Sequence, residues 1–171
     1  MTEKSEKSRE RVEGASASME EIVNKIVSEK IGDLDRIIRD IKAMLKDDTT
    51  ELSDLEIDDI LLQLPIYLYE FTDDQELVGM QSDLSVLLYK EKYNNAYSLA
   101  RGTVGDKASA AELTALAQKI DTLIYDHAYK IIKQKINMAI ELLNAVKKIQ
   151  ASRQQKLELG GRFGNRYWGI W

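Results

Sequence analysis

The chain lacks cysteine and contains one proline and one histidine among its 171 residues. Without cysteine, disulfides and thiolate metal sites are excluded, and a reducing compartment is expected. His127 has no histidine or cysteine close in sequence that could share a metal ion or act as a nucleophile. We therefore predict no enzymatic activity, no catalytic residues, no metal site and no cofactor. Scarce proline and few alternating β-branched runs favour an all-α fold.

Long hydrophobic runs are also absent. The most apolar stretch, residues 60–69, is about half as long as the roughly 20 residues that a membrane span requires. The N-terminal residues are rich in Glu, Lys and Ser and contain no apolar signal region. These features predict a soluble, cytoplasmic protein without a membrane partner, placed in the host cell cytoplasm if a phage encodes it.

Charge is distributed unevenly along the chain. Residues 1–87 carry 10 Lys/Arg and 22 Asp/Glu, whereas residues 88–171 carry 14 Lys/Arg and 7 Asp/Glu. The first part therefore has a net charge of −12 and the second a net charge of +7, which sum to −5. Charge acts locally, and a basic segment can hold a phosphate backbone even when the whole chain is acidic. The pattern therefore indicates binding to a polyanion.

Helical periodicity predicts the N-terminal organisation. Residues 1–17 are charged and poor in apolar side chains, which predicts a disordered tail. A capping box from Ser18 to Glu21 is expected to begin an amphipathic helix over residues 18–48, with a weak point at Gly32.

Residues 49–156 are predicted to form the helical core. Capping boxes at Ser53, Thr72 and Ser109 are each expected to begin a helix. Pro65 should end or kink the first of these helices, because proline lacks an amide hydrogen and clashes with the preceding turn. Residues 66–71 alone could form a strand, but with no second strand to pair with they are predicted to continue the helix beyond the kink.

The last predicted helix starts after Ser109 and ends at Gly160 and Gly161, which frees a basic, aromatic tail over residues 157–171. A helix of about 45 residues is roughly 65 Å long at 1.5 Å per residue. Compact monomers rarely contain such a helix, because their mean helix is about 11–12 residues. The predicted architecture is therefore a long-helix bundle that self-assembles as a homo-oligomer.

A turn containing Gly102 and Gly105 faintly resembles a phosphate-binding loop. The glycine spacing is wrong and no Lys-Ser/Thr pair adjoins it, so nucleotide hydrolysis is excluded. Arg101 and Lys107 lie beside the N-terminus of the next helix, where free amides can hold a phosphate oxygen. The alternative, which this motif alone favours, is an ordinary turn between helices.

Two further groups of residues favour anion binding. Lys130 and Lys133 flank the apolar stripe of the long helix, where the alternative is a solvated face. In the tail, cations alternate with aromatic rings, a pattern typical of proteins that bind single-stranded nucleic acid by stacking and phosphate contacts. These tail residues are Arg162, Phe163, Arg166, Tyr167 and Trp168. The alternative is a tail that folds back on its own core or docks in a partner's groove.

Two segments carry a family resemblance. Leu64-Pro65-Ile66 leads into an aromatic residue, Phe71, and Lys90-Glu91-Lys92-Tyr93 is followed by Tyr97-Ser98-Leu99-Ala100-Arg101-Gly102. A long C-terminal helix is expected after them. In this order of elements the chain resembles the UvsY-type recombination mediators of T-even-like phages, over roughly residues 53–155. Asn94 stands where a basic residue is typical of the family.

The resemblance implies a protein that loads a RecA-like recombinase onto single-stranded DNA, helps displace the single-strand-binding protein, and assembles into a ring. By position it assigns DNA contacts to Lys92 and Arg101. Together with the charge pattern, it predicts DNA contacts at the following basic and aromatic residues: Lys90, Lys92, Arg101, Lys107, Lys130, Lys133, Arg162, Phe163, Arg166, Tyr167 and Trp168. The alternative function is a helical structural or adaptor protein of a phage, such as a virion assembly factor, without DNA binding.

Overall fold

The computed structural model describes residues 3–47 and 52–164, with defined side-chain surroundings for residues 6, 10–45 and 52–159. These residues form four helices: α1 (Glu3–Asp47), α2 (Asp54–Leu99), α3 (Val104–Thr114) and α4 (Leu116–Gly164). No strand occurs in the described residues, and the all-α prediction is confirmed. Self-assembly and the ring stay predictions.

The described residues form two compact units. Unit 1 contains residues 3–32 and 72–134, and unit 2 contains residues 33–47, 52–71 and 135–164. Each unit buries aliphatic side chains at helical spacing. The buried apolar residues of unit 1 are Val23, Val27, Ile31, Val78, Ala111, Ala115, Ile124, Ala128 and Ile132. Those of unit 2 are Leu34, Ile38, Ile41, Leu52, Ile57, Ile60, Leu64, Leu68, Phe71, Ile136, Ala139, Leu143 and Val146.

The N-terminal helix begins earlier than the sequence pattern indicates. Residues 3–17, predicted as a disordered tail, belong to α1, and Ser18 donates to the Gly14 carbonyl at 3.1 Å instead of beginning a helix. Glu, Lys and Arg are good helix formers, so a charged segment without proline suits an exposed helix as well as a disordered chain. Ile31, next to the predicted weak point at Gly32, has non-helical angles of −132° and 24°.

Helix α2 confirms one predicted capping box and the predicted continuation of the helix past Pro65, and it contradicts one predicted helix start. The Ser53 amide donates to Glu56 Oε2 at 2.7 Å, and the Glu56 amide donates to Ser53 Oγ at 3.2 Å. The helix then continues through Pro65, and Thr72 lies inside it instead of beginning a new helix. An interior proline costs about 3 kcal/mol. Burying a leucine contributes about 1.5–3 kcal/mol, so burial of Leu64 and Leu68 on either side offsets that cost.

The turn after α2 lies where the glycines predicted it, but the next helix starts earlier than expected. Gly102 has a φ of 116°, a conformation that favours glycine. Thr103 is the N-cap of α3 in a capping box with Asp106, and Ser109 lies inside α3. The predicted single long helix is interrupted at Ala115, where φ is −96° and ψ is 8°.

Helix α4 extends beyond its predicted end. It passes through Gly160 and Gly161 to Gly164, so residues 157–164 are helical and do not form a separate tail. Glycine costs about 1 kcal/mol relative to alanine inside a helix, which weakens a helix without ending it. In unit 1, α2 and α4 approach closely at Gly79, where an added Cβ would lie 3.2 Å from Cε2 of Tyr129.

Candidate nucleic-acid interface

Three tyrosines form a ladder along the last turns of α2 in unit 1. Tyr89, Tyr93 and Tyr97 are spaced four residues apart, which places them on one face of the helix. Their ring centroids are 6.1 Å apart for the first pair and 6.2 Å apart for the second, with interplanar angles of 46° and 19°. All three side chains are half-buried. We call these residues the tyrosine ladder.

The first ring of the tyrosine ladder is held by contacts from α3 and α4. The Tyr89 hydroxyl donates to Glu112 Oε1 at 3.4 Å, and Lys119 Nζ donates to Glu112 Oε2 at 3.0 Å. Lys119 Nζ also lies 6.0 Å from the centroid of the Tyr89 ring. The hydrogen bond and charge of Glu112, with a smaller contribution from Tyr89, raise the pKa of Lys119. This cluster fixes the orientation of Tyr89 and keeps Lys119 positively charged.

Exposed cations bracket the tyrosine ladder. Lys90 lies three residues before Tyr93, and Lys92 lies three residues after Tyr89, so both neighbour the rings on the helix surface. Arg101 is exposed just after α2 ends. Within the described part of the chain, no carboxylate forms an ion pair with any of these three cations. Their charges are therefore available to an external anion.

The turn beside Arg101 and Lys107 carries its own anion. The backbone amide and hydroxyl of Thr103 donate to Asp106 Oδ2 at 3.0 and 2.8 Å. These two bonds, the hydroxyl first, lower the pKa of Asp106 and keep its carboxylate charged. A charged carboxylate already occupies the N-terminus of α3, and a phosphate there would be repelled. Lys107 is half-buried in α3, so Arg101 is the better placed of the two cations.

Lys130 and Lys133 lie on α4, whereas the tyrosine ladder lies on α2. Lys130 Nζ pairs with Asp126 Oδ2 at 2.7 Å, so part of its charge is neutralised within one turn. Lys133 is exposed, and its Nζ lies 5.8 Å from the Tyr129 ring centroid. His127 is an exposed residue of α4.

The predicted tail contacts lie outside the residues whose side chains are described. The backbones of Arg162 and Phe163 belong to α4, but their side chains lie outside the described part of the structure. Arg166, Tyr167 and Trp168 lie beyond residue 164, where the described chain stops. DNA binding by these five residues stays a prediction.

Helix α2 also carries apolar side chains on a second, exposed face. In unit 2 these include Leu55, Leu62, Ile66 and Tyr69, with Leu55 and Tyr69 exposed by 81% and 76%. In unit 1 they include Leu77, Met80, Leu84, Leu87 and Leu88. We call these residues the outer face of α2. A helix that is apolar all round is normally buried, and an exposed apolar patch marks an interaction surface.

The tyrosine ladder is absent from the sequence-based prediction, which treated Tyr93 and Tyr97 only as landmarks of a family resemblance. The spacing of four between the tyrosines was the signal that could have revealed it, because residues at i and i+4 share one helix face. The outer face was not predicted either, because helical spacing alone does not distinguish an exposed apolar face from a buried one.

Comparisons with known proteins leave the function to be argued from these residues. No protein-family model, curated protein or solved structure matches the chain. None of the described helices has a stretch long and apolar enough to cross a bilayer. Nor does any group of three or more His, Asp or Glu among the described residues have the arrangement to hold a metal ion.

Proposed function

We propose that the protein is a single-stranded DNA-binding accessory protein of recombination. One observation carries this proposal: on the surface of α2, Lys90 and Lys92 lie on either side of the tyrosine ladder. Both lysines are exposed and have no acidic partner among the described residues. Aromatic side chains beside a cationic track are the usual means of binding single strands without sequence preference.

Each part of the ladder has a role in this proposal. The exposed parts of the Tyr93 and Tyr97 rings stack on bases, while Lys90, Lys92 and Arg101 take phosphate oxygens. Stacking requires an open base face, which a duplex hides between its base pairs, so single strands are preferred. Because phosphate contacts release condensed counterions, binding weakens as salt rises.

Self-association is the second part of the proposed function, and the outer face of α2 supports it. Burial of exposed apolar side chains such as Leu62 and Met80 against other copies of the chain would be favourable. A homo-oligomeric ring would present many weak DNA sites to one strand, and avidity would raise the affinity. In the host cytoplasm, this assembly would help a RecA-like recombinase replace the single-strand-binding protein, as the family resemblance implies.

A matched pair of charge-reversal variants tests the DNA site. K90E/K92E changes two exposed lysines of α2, and K147E/K148E makes the same charge change at two exposed lysines of α4. Fluorescence anisotropy with labelled poly-dT, measured over a salt series, should show weaker binding for K90E/K92E. The slope of log K against log salt should fall by about 1.4, because each single-strand phosphate contact contributes about 0.7. Equal effects in both variants would assign binding to net charge and reject the ladder site.

The alternative function is a structural or adaptor protein such as a virion assembly factor, and the outer face of α2 favours it specifically. Both functions predict self-association, so multi-angle light scattering should report several times the 19.5 kDa mass of one chain. M80E/L87E, which charges two outer-face residues of unit 1, should lower that mass. Assembly without any binding to poly-dT at low salt would support the structural function and reject the recombination role.

A further inference from the structure

A groove between α2 and α4 in unit 1 has the size and polarity of a subsite for one nucleobase. Its volume is about 410 Å³, within the range of small-molecule sites. Leu84 and Leu88 supply apolar surface on which a flat ring can lie. The groove is lined by Gln81, Leu84, Ser85 and Leu88 from α2, and by Gln118, Asp121 and Tyr125 from α4.

One polar atom of this groove has no partner. Gln118 Oε1 is shielded from solvent and makes no hydrogen bond to any residue that the structure describes. Ser85 is also buried, but its hydroxyl donates to the Ser82 carbonyl at 2.6 Å and is satisfied. Leaving a buried acceptor unpaired is unfavourable. Gln118 lines the groove, so a small movement of its side chain would let a ligand N–H reach this oxygen and remove the cost.

Gln118 and Asp121 favour donors and disfavour anions in this groove, while Gln81 and Tyr125 can donate as well as accept. Asp121 adds a carboxylate to the lining, and no Lys or Arg belongs to it. A phosphate would therefore be repelled, whereas an amino group could donate one hydrogen to Gln118 and one to Asp121. Cytosine carries such an amino group, but thymine has a single ring N–H and two carbonyl oxygens.

The groove continues the row of the tyrosine ladder. Ser85, Tyr89 and Tyr93 are spaced four residues apart on α2, so the groove begins one helical turn before the first ring. A strand whose bases stack on the ladder can place its next base in the groove. We infer that this groove in unit 1 binds one base of the strand and prefers bases with an amino group. The inference rests on the proposed DNA-binding function.

Oligonucleotides that differ only in the base test this inference with the full-length protein. Anisotropy with oligo-dC and oligo-dT should show tighter binding of oligo-dC, by about three- to tenfold for one additional hydrogen bond. Q118M keeps the length of the side chain but removes its hydrogen-bonding atoms, and it should bring the dC/dT ratio close to one. Q134M, at an exposed glutamine of the same helix in unit 1, is the matched control and should keep the wild-type ratio.

The outcomes separate this inference from the function on which it rests. If Q118M keeps the wild-type ratio while K90E/K92E weakens binding to both oligonucleotides, the base subsite is rejected and the DNA-binding function stands. Equal affinity of the wild-type protein for oligo-dC and oligo-dT also rejects the subsite. If neither oligonucleotide binds at low salt, the DNA-binding function itself is rejected.

Discussion

Unit 1 and unit 2 use their cations differently. In unit 2, Arg153 Nη1 lies 3.0 Å from Asp54 Oδ1, and Lys135 pairs with Asp35, so both cations join α4 to another helix. Unit 1 has two comparable ion pairs, Lys30 with Asp74 and Lys119 with Glu112, each at 3.0 Å. In contrast, Lys90, Lys92 and Arg101 beside its tyrosine ladder have no acidic partner among the described residues.

This difference shows that the basic half of the sequence does not act as one surface. Lys135 and Arg153 belong to that half, yet each has an acidic partner inside unit 2. Lys90 and Lys92 sit near the start of the same half and stay unpaired. Lys147 and Lys148 of unit 2 are also exposed and have no acidic partner among the described residues, so it is the aromatic rings beside Lys90 and Lys92 that make unit 1 the expected place for a single strand.

The largest expected effect comes from the ladder itself. Y93L/Y97L in unit 1 should weaken binding to poly-dT, because base–aromatic stacking contributes about 1–3 kcal/mol per base. Y69L, at an exposed tyrosine of α2 in unit 2, is the matched control and should bind as wild type does. Anisotropy titrations measure the affinities, and thermal melting checks that each variant is folded. A comparable loss in Y69L would erase the distinction between the units.

A smaller effect is expected on stability when an ion pair of unit 2 is removed. Arg153 Nη1 donates to the Leu52 carbonyl at 2.5 Å and to Asp54 Oδ1 at 3.0 Å. R153A should lower the free energy of unfolding by about 1–3 kcal/mol, because hydrogen bonds to charged groups contribute about that much. Chemical denaturation measures this change.

Its control is R36A in the same unit. Arg36 pairs with Asp33 at 2.8 Å within one turn, and both side chains are about two-thirds exposed, so the loss should stay below about 1 kcal/mol. DNA affinity per folded molecule should be unchanged in R153A. A large drop in affinity would show that unit 2 cations also bind the strand.

The smallest effect concerns pH and the two capping boxes, one in each unit. Hydrogen bonds from the Ser53 amide and hydroxyl hold the pKa of Glu56 below its ordinary 4.5, and bonds from Thr103 hold that of Asp106 below 3.8. A pKa lowered by folding means that the contribution to stability is present above the unfolded-state value. It is lost as pH falls through the folded-state value.

Thermal melts between pH 7 and about pH 3 measure this contribution. The wild-type protein should lose more melting temperature on acidification than E56Q or D106N, because each variant lacks one titrating carboxylate. Parallel curves for all three proteins would mean that the caps contribute nothing to the acid sensitivity of either unit.

The fold class and several boundaries could be predicted because they depend on local chemistry. Scarce proline predicts helices. The side chains of Ser53 and Glu56 each accept a hydrogen bond from the other's backbone amide. Gly102 suits a turn with positive φ. The errors arose where burial decides. Thr72 looks like a helix boundary in isolation, but α2 continues through it because Phe71 and Val78 on either side are buried.

The candidate site was predictable only in part. Lys90, Lys92 and Arg101 were identified from the sequence, and the structure places them beside a common feature, the tyrosine ladder. Lys130 has an intramolecular partner that spacing alone does not guarantee. The groove at Gln118 depends on how α2 and α4 pack, and no local pattern encodes the absence of a partner for one buried oxygen.

The close approach at Gly79 also bears on how the chain chooses one fold. Because α2 carries leucines on its outer face as well as on its buried face, the apolar pattern alone does not determine which face of α2 turns inward. In unit 1, a Cβ at position 79 would lie 3.2 Å from Cε2 of Tyr129, so any side chain there requires the ring to shift by a few tenths of an ångström. A longer side chain such as that of Met80 in this place would require a larger shift, so the glycine favours the native orientation of the helix.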